Sequence, residues 1–160
     1  MDVARRNPVR LPGIESAPPG AHFVTITVVD RICLLGAVRN AAIELNALGA
    51  IVERCWRAMP QRFPTVELDA FVVMPNHLHA LLAIVRPGGA VLPAIIGTFK
   101  SESMRAANAH RRVSGVPLWD HGYQERLVRD AAERDRLRRS IDEDPACWEQ
   151  DEHHPARYRR

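Results

Sequence analysis

Two apolar, β-prone runs, Val66 to Met74 and His77 to Val85, meet at Pro75-Asn76. No other feature constrains the fold of this chain as tightly. Proline presets one turn position and asparagine favours the next, so the join reads as a tight turn and the whole as a β-hairpin. Around it the chain supplies the rest of an α+β plan. His22-Phe-Val-Thr-Ile-Thr-Val-Val29 is rich in β-branched residues and predicts a first strand. Val38 to Met59 carries Ile43, Leu45, Leu48, Ile51, Val52, Cys55 and Trp56 at helical spacing and predicts a long helix, bounded by Pro60 and Pro64.

Beyond the hairpin, closed by Pro87-Gly-Gly89, Val91 to Arg111 predicts a second helix and Gln124 to Val128 a fourth strand. Ala131 to Glu143 predicts a third helix, stopped near Pro145. The order β-α-β-β-α-β and then a helix is the ferredoxin-like split βαβ plan. It implies an antiparallel sheet of four to five strands, helices packed on one face and a C-terminal helix. The other face is left to host a site. A length of 160 residues suits one such domain. Its expected limits are 21–148, after an irregular arm over 1–20 in which Pro8, Pro12, Pro18 and Pro19 block regular structure. A charged tail, 149–160, reads as frayed.

Composition excludes several classes. Cys33, Cys55 and Cys147 are scattered and form no Cys-x-x-Cys pair, so neither a disulfide framework nor a thiolate zinc site is indicated, and a reducing cytoplasm fits. The Arg- and Pro-rich start lacks the apolar core of a secretory signal, and no apolar run can span a bilayer. The net charge is only +3, but Lys100 is the one lysine among 22 basic residues. Arginine pairs with phosphate bidentately and stacks on bases; arginine-rich codon usage explains the bias equally well.

The sharpest chemical feature is His77-Leu78-His79. Residues two apart on a strand share a face, so the imidazoles project side by side while Leu78 and Ala80 face the other way. Such a pair suits one divalent ion, although His-x-His on a strand is more often plain packing or surface placement.

The string Val72-Val-Met-Pro-Asn-His-Leu-His79 resembles the HUH signature of the insertion-sequence-200-like, single-tyrosine transposases, in particular the REP-associated tyrosine transposases. The resemblance runs almost the length of the chain. It includes Gly20-Ala-His-Phe-Val-Thr-Ile26, Val66-Glu-Leu-Asp-Ala-Phe-Val-Val-Met-Pro-Asn76 and Ile96-Gly-Thr-Phe-Lys-Ser101. Leu118-Trp-Asp-His-Gly-Tyr123, Val128-Arg-Asp130 and Arg139-Ser-Ile-Asp-Glu-Asp-Pro-Ala-Cys-Trp148 continue it. It implies that 21–148 is an HUH transposase-like domain acting in DNA transposition, with single-stranded or hairpin DNA as partner and Mg²⁺ or Mn²⁺ as cofactor. In that family a tyrosine hydroxyl attacks a phosphodiester, leaving a 5′-phosphotyrosine. The family includes monomers and dimers, so a homodimer stays open; no membrane partner is implied.

One position departs from the pattern. Where the family helix carries Tyr-Ile and then, two residues on, Asn-Pro, this chain reads Ser140-Ile-Asp-Glu-Asp144-Pro145. The resemblance thus assigns His77, His79 and Asp144 to the metal and leaves Ser140 at the nucleophile position. Asp144 is also an ordinary helix-end residue before proline. Serine is shorter and far less acidic than a phenol, so three substitutes stay open: Ser140 itself, Tyr123, or a metal-activated water. Lys100, Arg105, Arg126 and Arg129 are the expected DNA contacts, unless they merely solvate helix faces. Trp119 can either stack on an unpaired base or anchor the core. Three functions follow: a metal-dependent DNA-cleaving and strand-transferring enzyme, a catalytically inactive domesticated DNA-binding protein, or a small metal-dependent hydrolase with no DNA role.

Overall fold

The computed structural model describes residues 20–86 and 88–158. The arm expected over 1–20 therefore falls, apart from Gly20, outside the described residues. Six strands and four helices follow in the order β1 (Ala21–Thr27), β2 (Gly36–Arg39), β3 (Ala42–Leu45), α1 (Ala47–Arg57), α2 (Met59–Arg62), β4 (Val66–Met74), β5 (His77–Ile84), α3 (Leu92–Arg111), β6 (Gln124–Leu127) and α4 (Ala131–Glu143). β4, β5, β1 and β6 form one antiparallel sheet in that spatial order. This is the ferredoxin-like topology expected from the sequence.

The predicted long helix over Val38 to Met59 is instead a two-stranded β2–β3 hairpin followed by α1 and the short α2. Asn40 and Ala41 turn the hairpin with φ of 51° and 60°, the paired positive values of a type I′ turn. Asn46 then caps α1, its Oδ1 accepting from the Gly49 N–H at 3.0 Å. Gly49 is required here: a Cβ would sit 2.1 Å from the Leu35 carbonyl oxygen.

The core lies between the sheet and the α1–α3 layer. Val24, Ile26 and Val28 of the first strand region and Leu78, Ala80 and Leu82 of β5 meet Val52 and Trp56 of α1 and Ile95, Ile96 and Phe99 of α3. Trp56 meets Phe99 edge-on, with ring centroids 5.1 Å apart, a geometry the ring quadrupoles favour. On the opposite sheet face, α4 packs against β4 and β5. A register shift between Leu68 and Phe71 bulges β4, and in the bulge Asp69 receives Arg138 of α4 through Nε at 2.8 Å and Nη2 at 2.6 Å. The bulge thereby aims a carboxylate at the C-terminal helix.

Candidate metal centre

His77 and His79 leave β5 on the face away from α1 and α3, since Leu78 and Ala80 beside them belong to the core. Their ring centroids lie 4.5 Å apart. The β1–β5 register sets Thr25 opposite His79, and Thr25 Oγ1 lies 2.9 Å from His79 Nδ1, able to accept its proton. Phe23 stacks on the His79 ring at 5.3 Å.

Asn76, the second turn residue of the hairpin, is wholly buried. Its Nδ2 donates to the Arg31 carbonyl at 3.0 Å and to the His153 carbonyl at 2.7 Å. Those two bonds fix the amide orientation, so Oδ1 faces His77 Nδ1 at 2.8 Å and must accept from it. His77 Nδ1 therefore carries the proton and Nε2 presents its lone pair. That Nε2 is buried without a hydrogen-bond partner among the described residues. A buried acceptor left unmade is costly, and a metal ion bound there would remove that cost.

Past α4 the chain makes 3-10 turns at Trp148–Gln150 and Pro155–Arg157 instead of fraying. His153 is buried and its ring stacks on His77 with centroids 4.3 Å apart. The Asp151 carboxylate accepts from the His153 N–H at 2.7 Å through Oδ1, while Oδ2 lies 3.6 Å from His77 Nε2. One ligand atom from each of His77, His79, Asp151 and His153 lies within 4.8 Å of the others. Asp144, the third ligand expected from the sequence, is at the rim, its Oδ2 3.9 Å from His79 Nε2. Sequence reasoning missed Asp151 and His153. The signal was present as Asp151-Glu-His-His154 in a segment read only for its charge.

The charges of the cluster are shaped by burial. Desolvation, with His153 nearby, lowers His79 to about 4. Desolvation likewise holds His77 well below the ordinary imidazole value, helped by His79 and His153. Burial and the neighbouring Asp151 push Asp144 up to about 7. At Asp151 burial opposes ionisation, but hydrogen bonds from the His153 side chain and backbone prevail and bring it to about 2. Neutral imidazoles with free lone pairs beside carboxylates form a donor set that fits a divalent transition ion.

The other expected site residues are dispersed. Ser140 is exposed on α4, one turn before Asp144. Tyr123 packs against the core, and burial, with Glu125, pushes its phenol up to about 12. Trp119 is buried, its Nε1 donating to Ser103 Oγ at 2.9 Å, so it anchors the core. Lys100 on α3 donates to the carbonyls of Asp120 at 2.8 Å and of Gly122, pinning that loop. Arg105 is exposed on the same helix, which covers the far face. Arg126 pairs in register with Phe23 on the histidine face and forms an ion pair with Glu133 of α4. The Arg129 N–H donates to the other Glu133 oxygen at 2.8 Å.

No family model matches the chain. An uncharacterized protein of Haemophilus influenzae is 30% identical over 170 residues, covering 94% of this chain and 93% of that one. Among solved structures, a REP-associated tyrosine transposase bound to a REP hairpin superposes with a TM-score of 0.63 at 16% identity, covering 91% of this chain and 73% of that one. A candidate transposase from Deinococcus radiodurans superposes with a TM-score of 0.54 at 19% identity, covering 83% and 96%. Among the described residues no helix is long and apolar enough to cross a membrane.

Proposed function

From the premise that this chain belongs to one family with the Haemophilus influenzae protein and has the fold of the REP-associated tyrosine transposases, we propose that it binds hairpin-forming single-stranded DNA on its histidine face with a divalent metal ion. The observation that carries the reading is the paired His77 and His79, held by hydrogen bonds with Asn76 and Thr25, with the buried His77 Nε2 lacking a hydrogen-bond partner among the described residues. The fold supports the DNA half of the reading, because a superposable transposase holds a REP hairpin. Arg126 stands on the same sheet face as the histidines, where a phosphate backbone drawn to the site would pass.

His77 and His79 would hold the ion, with carboxylates from the adjoining C-terminal residues. Lewis-acid polarisation of a phosphodiester is the chemistry that a divalent ion supplies when bound. This chain's own Asn76 sets the His77 tautomer, and Thr25 holds the His79 ring in place.

The position expected to carry a tyrosine is Ser140, which is exposed and lacks any hydrogen bond to a basic side chain among those described. That observation favours the second reading over strand transfer: a DNA-binding protein without the covalent step. A binding titration separates the possibilities. Fluorescently labelled hairpin single strand should bind more tightly than blunt duplex of the same sequence, with affinity falling as salt rises. Manganese should produce no protein–DNA adduct on a denaturing gel. Equal affinity for both DNAs would remove the hairpin reading, and a robust wild-type adduct would restore the enzyme.

A further inference from the structure

The residues that follow α4 contribute half of the ligand atoms in the centre. We propose that Asp151 and His153 are metal ligands, so that a borderline transition ion held with His77 and His79 staples residues 148–158 onto the sheet. The inference rests on the metal reading of His77 and His79 and adds what the ion does to the rest of the chain.

The geometry is specific. Asp151 and His153 sit two residues apart on one tight turn, and the His153 N–H to Asp151 Oδ1 bond of 2.7 Å holds that turn closed. The turn delivers both side chains to the same place: His153 against His77, and Asp151 Oδ2 toward the unpartnered His77 Nε2. The four ligand atoms converge within 4.8 Å. Three imidazoles and one carboxylate make a nitrogen-rich set, which suits Zn²⁺ or Mn²⁺ and suits Mg²⁺ poorly, since magnesium favours an all-oxygen octahedron.

The attachment of this segment depends on those contacts. Its backbone is bonded mainly within its own turns. Besides the ring contacts of Trp148 and His153 with His77, its ties to the rest of the fold include the Asn76 amide to the His153 carbonyl and the Arg31 guanidinium over the Tyr158 ring at 4.2 Å. The flanking Glu149, Gln150 and Glu152 are exposed. Trp148 is buried near His77 at the head of the segment, but beyond it no apolar residue of the segment is buried, and a stretch so held opens readily, whereas an ion shared between it and β5 binds it firmly.

The experiment pairs Zn²⁺ calorimetry with hydrogen–deuterium exchange of the backbone amides of 148–158, on the full chain after chelation. In the wild type, Zn²⁺ should slow exchange of this segment by at least about tenfold, while Mg²⁺ at the same concentration should not. Asp151→Asn is isosteric and keeps an acceptor for the His153 N–H; His153→Ala removes the ring. Each should weaken Zn²⁺ affinity by at least about tenfold and abolish the slowing. Wild-type Zn²⁺ affinity in both variants, or unchanged exchange in a Zn²⁺-loaded wild type, would overturn the staple while leaving the histidine pair as the metal site. Equal protection by Mg²⁺ would overturn the transition-ion selectivity. No Zn²⁺ affinity in the wild type would remove the metal reading itself.

Discussion

Asn76→Ala is the substitution whose consequences the structure fixes most closely. The side chain makes three hydrogen bonds, to His77 Nδ1, to the His153 carbonyl and, partly buried, to the Arg31 carbonyl. Each such bond contributes about 1 kcal/mol net, so their loss should destabilise the metal-free protein by about 3 kcal/mol. The same change releases the His77 tautomer, because nothing else then holds the proton on Nδ1. Loss of such an orienting partner typically weakens metal affinity about 10–100-fold, which is about 1.4–2.7 kcal/mol of binding. Urea denaturation in chelator measures the first effect, and Zn²⁺ or Mn²⁺ calorimetry on the folded variant measures the second. Thr25→Val is the comparator: it removes one bond, to His79 Nδ1, and should give a smaller loss on both scales. A loss of stability below about 1 kcal/mol for Asn76→Ala, together with unchanged metal affinity, would refute the role assigned to this residue.

Ser140→Tyr should create a denaturation-resistant adduct with hairpin DNA in Mn²⁺ that the wild type lacks, and adding His77→Ala should abolish it; absence of an adduct despite measured DNA and metal binding would contradict the placement of the nucleophile position. Trp119→Ala should cost about 3–5 kcal/mol in denaturant unfolding, because the ring is buried against Phe99, while the folded protein keeps its hairpin affinity; lost affinity without lost stability would return Trp119 to the DNA. Asp69 is held below the ordinary carboxylate value, chiefly by its hydrogen bonds from Arg138. A depressed carboxylate stabilises the fold above its unfolded value, near 4, and loses that contribution as pH falls through the folded value. Thermal melts of wild type and Asp69→Asn should therefore differ fully at pH 6 and converge in strong acid, whereas a pH-independent difference would show that the ion pair is not the cause.

The sheet and its main helices were legible because their signals are local. Pro75-Asn76 marks the β4–β5 turn, β-branched residues mark β1, and α4 runs over Ala131–Glu143 as its pattern predicts. The β2–β3 hairpin was not legible: Val38, Ile43 and Leu45 fit a helical stripe as well as a strand, and its turn uses Asn40-Ala41 where glycine would have announced it. The histidine pair on one strand face followed from residue spacing alone. Asp151 and His153 did not, because only the path of the chain after Pro145 brings them beside β5, and no periodicity encodes that path. The arginines' intramolecular partners were not legible either. Arg126 meets Glu133 and Arg138 meets Asp69, and only the tertiary structure reveals such partners.

The central claim, that metal and DNA meet on the histidine face, is tested most directly by crystals grown with Mn²⁺ and hairpin DNA. An anomalous difference map recorded on them should show a manganese peak bonded to His77 Nε2 and His79 Nε2, with a DNA phosphate on the same side of the sheet. Manganese bound elsewhere, or a hairpin seated on the α1–α3 face with the histidines empty, would contradict it.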